Sequence, residues 1–134
     1  WKGNVLRSGG IVTNLGIHFI DMLGWIFGGF KGFELSVSQE NKAAGKLWFS
    51  RANVNWFLSI DENDLPAEAV DAGKRTYRKV VVDGEETEFS EGFTDLHTTT
   101  YREILSGRGF GISDARQSIE IVSAIRETAL KSFL

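Results

Sequence analysis

The sequence predicts an α+β fold: a largely antiparallel open sheet with helices on one face. Three observations carry that expectation. Apolar residues recur at helical spacing at both ends of the chain, alternating patterns fill the middle, and an Asp-Gly pair joins two of them. The order helix, strands, helix, helix lacks the strand–helix–strand alternation of a parallel sheet. At 134 residues the length predicts a single domain spanning 1–134, large enough to bury one core without disulfides.

The first helix is expected from Gly10 to Phe27, closed by Gly28-Gly29. Phe33 to Glu40 alternates as a strand. Leu47 to Asp61 reads as one longer strand, with Trp48, Ala52, Val54, Trp56, Leu58 and Ile60 on one face and Leu47, Phe49 and Phe57 on the other. A strand apolar on both faces wants cover on both, from helices on one side and another subunit on the other. Asp64-Leu65-Pro66 opens a connecting loop. Thr76 to Val82 and Glu85 to Phe89 flank Asp83-Gly84, the signature of a type I′ hairpin. A second helix starts at Thr94 or Asp95 and ends at Ser106-Gly107, with Leu96, Ile104 and Leu105 inward. The last helix starts at Ser113 or Asp114, with Ile119, Val122, Ile125 and Leu130 in its apolar stripe; Asp114 and Gln117 have capping-box spacing.

Hydrophobic residues make up 42% and charged residues 25%, the balance of a soluble globular chain. Net charge is −3 and no Lys/Arg run exceeds two residues, so the chain lacks the basic face that nucleic acid requires. There is no cysteine, which excludes disulfides and thiolate chemistry and fits a reducing cytoplasm. No run of about 18 apolar residues is present, so no membrane span is expected. Trp1-Lys2-Gly3-Asn4 does not resemble a signal peptide, and the missing initiator Met suggests a fragment or a processed chain.

Chemistry concentrates in the first helix. It is apolar almost all round, which predicts burial, yet Asn14, His18 and Asp21 follow one another at four- and three-residue spacing, along one face. A lone histidine on an apolar helix is more often a hydrogen-bonded core residue than a catalyst. A carboxylate holding one imidazole nitrogen would instead fix its tautomer and leave the other nitrogen free to exchange a proton. A zinc site is the weaker alternative, since the helix offers one His and one Asp and only His97 could join them. No metal is expected.

Other motifs carry less. Ser8-Gly9-Gly10 enters a helix N-terminus, which suits either a tight turn or an anion, with Lys2 nearby as a cation. Gly107-Arg108-Gly109-Phe110-Gly111 mimics a dinucleotide loop but follows a helix and lacks the full glycine pattern. Asp95, His97 and Tyr101 form a second polar cluster, as does any exposed helix face. Arg116 reads as a first-turn surface residue that could approach a ligand.

The run from Gly9-Gly10 through Asn14, Gly16, His18, Asp21 and Trp25 to Gly28 resembles the second domain of the glucose-fructose oxidoreductase/inositol dehydrogenase (Gfo/Idh/MocA) family. The stretches Trp56 to Asp61, Asp83 to His97 and Tyr101 to Glu120 are similar to one subgroup, the UDP-N-acetylglucosaminuronate 3-dehydrogenases of bacterial surface-polysaccharide synthesis. The resemblance spans essentially the whole chain. It implies an enzyme of two domains that uses NAD or NADP, of which 1–134 is the C-terminal substrate-binding and oligomerisation domain. The Rossmann domain, with its glycine loop and a catalytic Lys in an Glu-Lys-Pro motif, is absent from this sequence, so the chain alone is expected to be inactive.

Under that resemblance His18 is the catalytic residue beside the sugar hydroxyl, and Asp21 orients it. Asn14, Lys2, Ser8, Gly9 and Gly10 bind the nucleotide-sugar substrate. Family members commonly carry Asp where this chain has Asn14, which shifts that position from carboxylate chemistry to hydrogen bonding. No cofactor-binding residue is expected within the chain. The implied partners are the sugar substrate and further copies of the chain, paired through the sheet, in the cytoplasm. The alternative is a non-catalytic oligomerisation or ligand-binding module on the same fold. An accessible Asn14/His18/Asp21 face supports the enzyme; a fully buried and satisfied one supports the module.

Overall fold

The computed structural model describes residues 8–92 and 95–131. The chain divides into two compact units, one taking in the described residues through Ile60 and from Gly111 onward, the other Asp61–Phe110. The expected α+β architecture is present, with antiparallel sheets throughout.

The first unit is a three-stranded sheet with two packed helices. A π-helical turn, Val12–Gly16, runs directly into helix α1, Ile17–Phe27. Strands β1 (Phe30–Ser38), β2 (Lys42–Phe49) and β3 (Asn53–Ser59) pair antiparallel in sequence order. The C-terminal helix of the chain, Arg116–Lys131, packs on α1, the π turn and β1. The buried core joins Ile11, Val12, Ile20 and Leu23 to Ala43, Leu47 and Phe49 of β2 and to Ile121, Val122 and Ile125 of the last helix. Burial of these side chains is the main favourable term holding α1 to the sheet.

Two sequence expectations fail here for one reason. Leu47 to Asp61 is not one strand but a hairpin, β2 and β3, turned at Ser50-Arg51. The Phe49 N–H donates to the Ala52 carbonyl at 2.9 Å. Leu47 pairs with Val54, Gly45 with Trp56 and Ala43 with Leu58. Odd-numbered positions of β2 therefore share a face with even-numbered positions of β3. Leu47 and Phe49 lie on the helix-covered face with Trp56, and Trp48 lies on the opposite face with Phe57, which is 55% exposed.

The turn is held by the end of α1. The Arg51 N–H donates to the Phe27 carbonyl at 3.1 Å, its guanidinium donates to the Ile26 carbonyl, and the Ser50 N–H donates to the Gly29 carbonyl at 2.9 Å. A cation at a helix C-terminus also answers the helix dipole. Gly28, at φ +86°, ends α1 as its sequence predicts.

The second unit holds a 3₁₀ turn, Glu62–Asp64, then a short helix α2, Ala67–Asp71, started by Pro66 where only a loop is expected. Strands β4 (Lys79–Val82) and β5 (Glu85–Glu88) form the expected hairpin, with Asp83 at φ +52° and Gly84 at φ +87°, as a type I′ turn demands. Helix α3, Leu96–Leu105, follows. Thr94, an expected start for this helix, lies outside the described residues. Leu96, Ile104 and Leu105 are exposed rather than inward. Ala69 and Ser90 are the buried residues described in this unit, and polar contacts tie it together: Tyr77 Oη donates to Glu68, and the Ser90 hydroxyl accepts from the Arg78 N–H at 2.9 Å.

The last helix, named α4, buries Ser118, Ile121, Val122 and Ile125, whereas Ile119 and Leu130 are exposed. The capping box does not form. The Asp114 carboxylate turns back to accept from the Gly111 N–H at 2.6 Å. Gln117 faces α1 instead, so close to Gly24 that a Cβ there would sit 2.6 Å from its Nε2.

Candidate functional site

Helix α1 is not buried all round. Val12, Gly16, Ile20 and Leu23 face the core, and the other side carries Asn14, Leu15, His18, Asp21, Trp25 and Ile26, all exposed. The polar stripe predicted from spacing therefore exists, on the open face of a helix whose inner face is pinned to the sheet. His18 and Asp21 lie about 4.5 Å apart along the axis. Neither has a hydrogen-bond or ion-pair partner among the described residues, so the structure shows no Asp21 contact that would fix the imidazole. Among the described residues nothing bonds to either ring nitrogen of His18.

Upstream, the chain enters this helix through a constrained turn. Gly9 and Gly10 have φ of +79° and +75°, a region that side chains rarely adopt. Ser8 is buried, and its hydroxyl accepts from the Gly10 N–H at 3.3 Å. Thr13 Oγ1 donates to the Gly9 carbonyl at 2.8 Å. Asn14 Nδ2 donates both to the Gly10 carbonyl at 2.8 Å and to the Ser8 carbonyl at 3.2 Å. The Ile17 N–H bonds to Val12 O, five residues back, which is what makes the intervening turn a π turn. Such turns recur at functional sites. Ser8, Gly9, Gly10 and Asn14 thus form one assembly next to His18. Lys2, assigned to the same site from sequence, lies outside the described residues.

The second polar cluster stays apart from this face in the sequence and belongs to the other unit. Asp95 sits at φ +58° ahead of α3, and His97 and Tyr101 are exposed. An open hollow of about 610 Å³ runs beside Thr98, Tyr101, Arg102, Leu105 and Ser106, all on one helix, so it has no second wall. Arg116 pairs with Glu120 at 3.7 Å on the exposed side of α4. Among the described residues no group of three or more His, Cys, Asp or Glu side chains could hold a metal ion, and no helix is long and apolar enough to cross a membrane.

The glycine-rich segment 107–111 is a helix stop. Gly107, at φ +76°, and Arg108 donate their N–H groups to the Ile104 and Glu103 carbonyls, and the Arg108 guanidinium grips Glu103 at 2.7 and 3.0 Å. It follows a helix, and its arginine is already paired. No described segment has the strand–glycine loop–helix order that cradles a dinucleotide pyrophosphate.

The helix pinned to the sheet thus shows a histidine with no partner among the described residues, on an α+β unit in which no described segment cradles a phosphate. The model of the oxidoreductase family's C-terminal alpha/beta domain matches residues 1–52, the stretch that holds the glycine turn, α1, β1 and β2. Over that stretch the chain has the C-terminal domain of this Gfo/Idh/MocA family of oxidoreductases. Among solved structures it is similar to the WlbA (WbpB) dehydrogenase of Thermus thermophilus, in one structure in complex with NAD and α-ketoglutarate and in another with NAD and UDP-GlcNAcA. Identity is 48% and 47%, with a TM-score of 0.88 for each. The matches cover 94% of this chain but 41% and 40% of those proteins, so the chain spans about two fifths of their length.

Proposed function

We propose that this chain forms the substrate side of a sugar oxidoreductase that uses NAD or NADP and oxidises the 3-hydroxyl of a UDP-N-acetylhexosaminuronate. The observation that carries this reading is His18: an imidazole without a partner among the described residues, exposed on a helix anchored to the core, beside the Asn14 assembly. Complete burial would have favoured a non-catalytic module. The Thermus thermophilus dehydrogenase, in complex with NAD and UDP-GlcNAcA, supports the choice of ligand class.

Oxidising a secondary alcohol removes a hydride from carbon and a proton from oxygen. The nicotinamide supplies the hydride acceptor, because no side chain can do so. His18 takes the hydroxyl proton on its free nitrogen as the C–O bond gains double-bond character. Asn14 and the Ser8-Gly9-Gly10 turn position the sugar, and Asp21, one turn beyond His18, orients the imidazole in the assembled enzyme. Lys2 adds a cation toward the anionic part of the substrate. The exposed face of α1 suits a sugar, while no described segment cradles the dinucleotide phosphates, which residues outside this chain hold. The chain by itself is then inactive.

The sheet face opposite the helices, with Trp48 and Phe57, pairs with a second copy, and the enzyme works in the cytoplasm, feeding surface-polysaccharide synthesis. The test is NAD reduction followed at 1:1 supply of enzyme that joins this chain to its nucleotide-binding domain. UDP-N-acetylglucosaminuronate should be oxidised. Failure to reduce NAD or NADP with any UDP-sugar or polyol favours the module instead.

A further inference from the structure

The hydrogen bonds around Asn14 say more than that it lies near the site. A carboxamide has two donor hydrogens on nitrogen and an acceptor oxygen, and only the nitrogen can answer a carbonyl. Both donors of Asn14 are committed to carbonyls, Gly10 at 2.8 Å and Ser8 at 3.2 Å. Those carbonyls belong to a turn fixed by two positive-φ glycines and the buried Ser8, so the amide cannot flip without leaving two oxygens facing an oxygen. What remains is Oδ1, without a partner among the described residues, on an exposed residue one turn before His18.

We propose that Asn14 is a specificity residue locked as a hydrogen-bond acceptor, so that the substrate must present a neutral donor, a hydroxyl or an amide N–H, on a carbon next to the one oxidised. This rests on the reading of His18 as the proton acceptor for a sugar hydroxyl. It adds a polarity that the spacing of residues does not contain. An Asp at this position could not make the two carbonyl contacts, having no proton to give; the turn and the polarity are therefore a matched set in this chain.

The experiment uses the full enzyme and three probes: UDP-N-acetylglucosaminuronate, its 4-deoxy analogue, and the analogue with an acetate ester in place of the N-acetyl amide. Each analogue lacks one neighbouring donor. Loss of one uncharged hydrogen bond predicts that at least one analogue falls about three- to tenfold in kcat/KM, chiefly through KM. In Asn14→Ala that ratio should return to near unity, with NAD affinity unchanged. Equal use of all three probes by the unaltered enzyme overturns the proposal without any variant, and so does an Asn14→Ala enzyme that still discriminates. An enzyme that leaves the parent UDP-sugar unoxidised contradicts the oxidoreductase reading itself, whereas oxidation without discrimination contradicts only the role given to Asn14.

Discussion

Replacing Gly9 by alanine tests the turn that sets up the site. Gly9 sits at φ +79°, where an L side chain costs about 1–2 kcal/mol. An added Cβ would lie 2.5 Å from Thr13 Oγ1 and 2.8 Å from Thr13 Cβ. Real Cβ atoms essentially never come that close, so the backbone of the turn must shift and Thr13 give up its 2.8 Å bond to the Gly9 carbonyl, a further loss of about 0.5–1.5 kcal/mol. The sum, about 1.5–3.5 kcal/mol, lowers the midpoint of thermal unfolding by roughly 5–18 °C in a chain of this size. Urea or thermal unfolding of the enzyme carrying Gly9→Ala reads it directly. Thr13→Ala in the same background removes the Oγ1 contact and the hydrogen bond while leaving the Cβ contact, so the bond is lost only once and the double variant should lose at least about 0.5 kcal/mol less than the two single losses added together. A Gly9→Ala loss below about 0.5 kcal/mol, or strict additivity with Thr13→Ala, refutes the reasoning.

Two other expectations concern charge and assembly. The Glu88 carboxyl is held below the usual carboxylate range, first by the hydrogen bond from Lys74 at 2.6 Å and then by Ser90, while Lys74 is raised by the same bond. A depressed carboxylate stabilises the fold above its unfolded-state pKa, and that contribution disappears as pH falls through the lower folded value. The raised lysine contributes below its own unfolded-state value and loses that contribution only as alkaline pH passes the folded one. Both side chains are more than a third exposed, so the effect is small and salt-screened. Glu88→Gln should flatten the acid limb of the unfolding midpoint against pH at low salt; an unchanged acid limb, with Glu88 titrating at the ordinary position by NMR, contradicts it. Phe57→Asp, on the outer sheet face, should shift the enzyme to a smaller species in light scattering while leaving the circular dichroism spectrum intact. An unchanged mass excludes that face as the contact between copies.

The elements that the sequence specified locally formed as expected. Gly28 stops α1, and Asp83-Gly84 turns its hairpin, because each needs only its own backbone preference. The Ser50-Arg51 turn has no such marker. Neither residue takes a positive φ, and the bend is held by carbonyls at the end of α1, distant in sequence. Missing it put Trp48 on the wrong face. The exposed Leu96, Ile104 and Leu105 show a related limit: periodicity marks an apolar stripe without saying what covers it. For the site, the spacing of Asn14, His18 and Asp21 placed the three side chains along one helix face, and that face is exposed. It could not distinguish a buried stripe from an open one, and the Asn14 bonds to Ser8 and Gly10 depend on a turn whose geometry only the fold supplies. The π turn also left no mark in the residue pattern, since Gly16 reads equally well in an ordinary helix.

The central claim is that the imidazole of His18 moves the proton of the sugar hydroxyl. His18→Asn in the full enzyme keeps a hydrogen-bonding side chain on the same exposed face but removes the base. Turnover of UDP-N-acetylglucosaminuronate should fall on the order of 10²- to 10⁴-fold, with NAD affinity and unfolding midpoint unchanged. Turnover close to that of the unaltered enzyme would contradict the account.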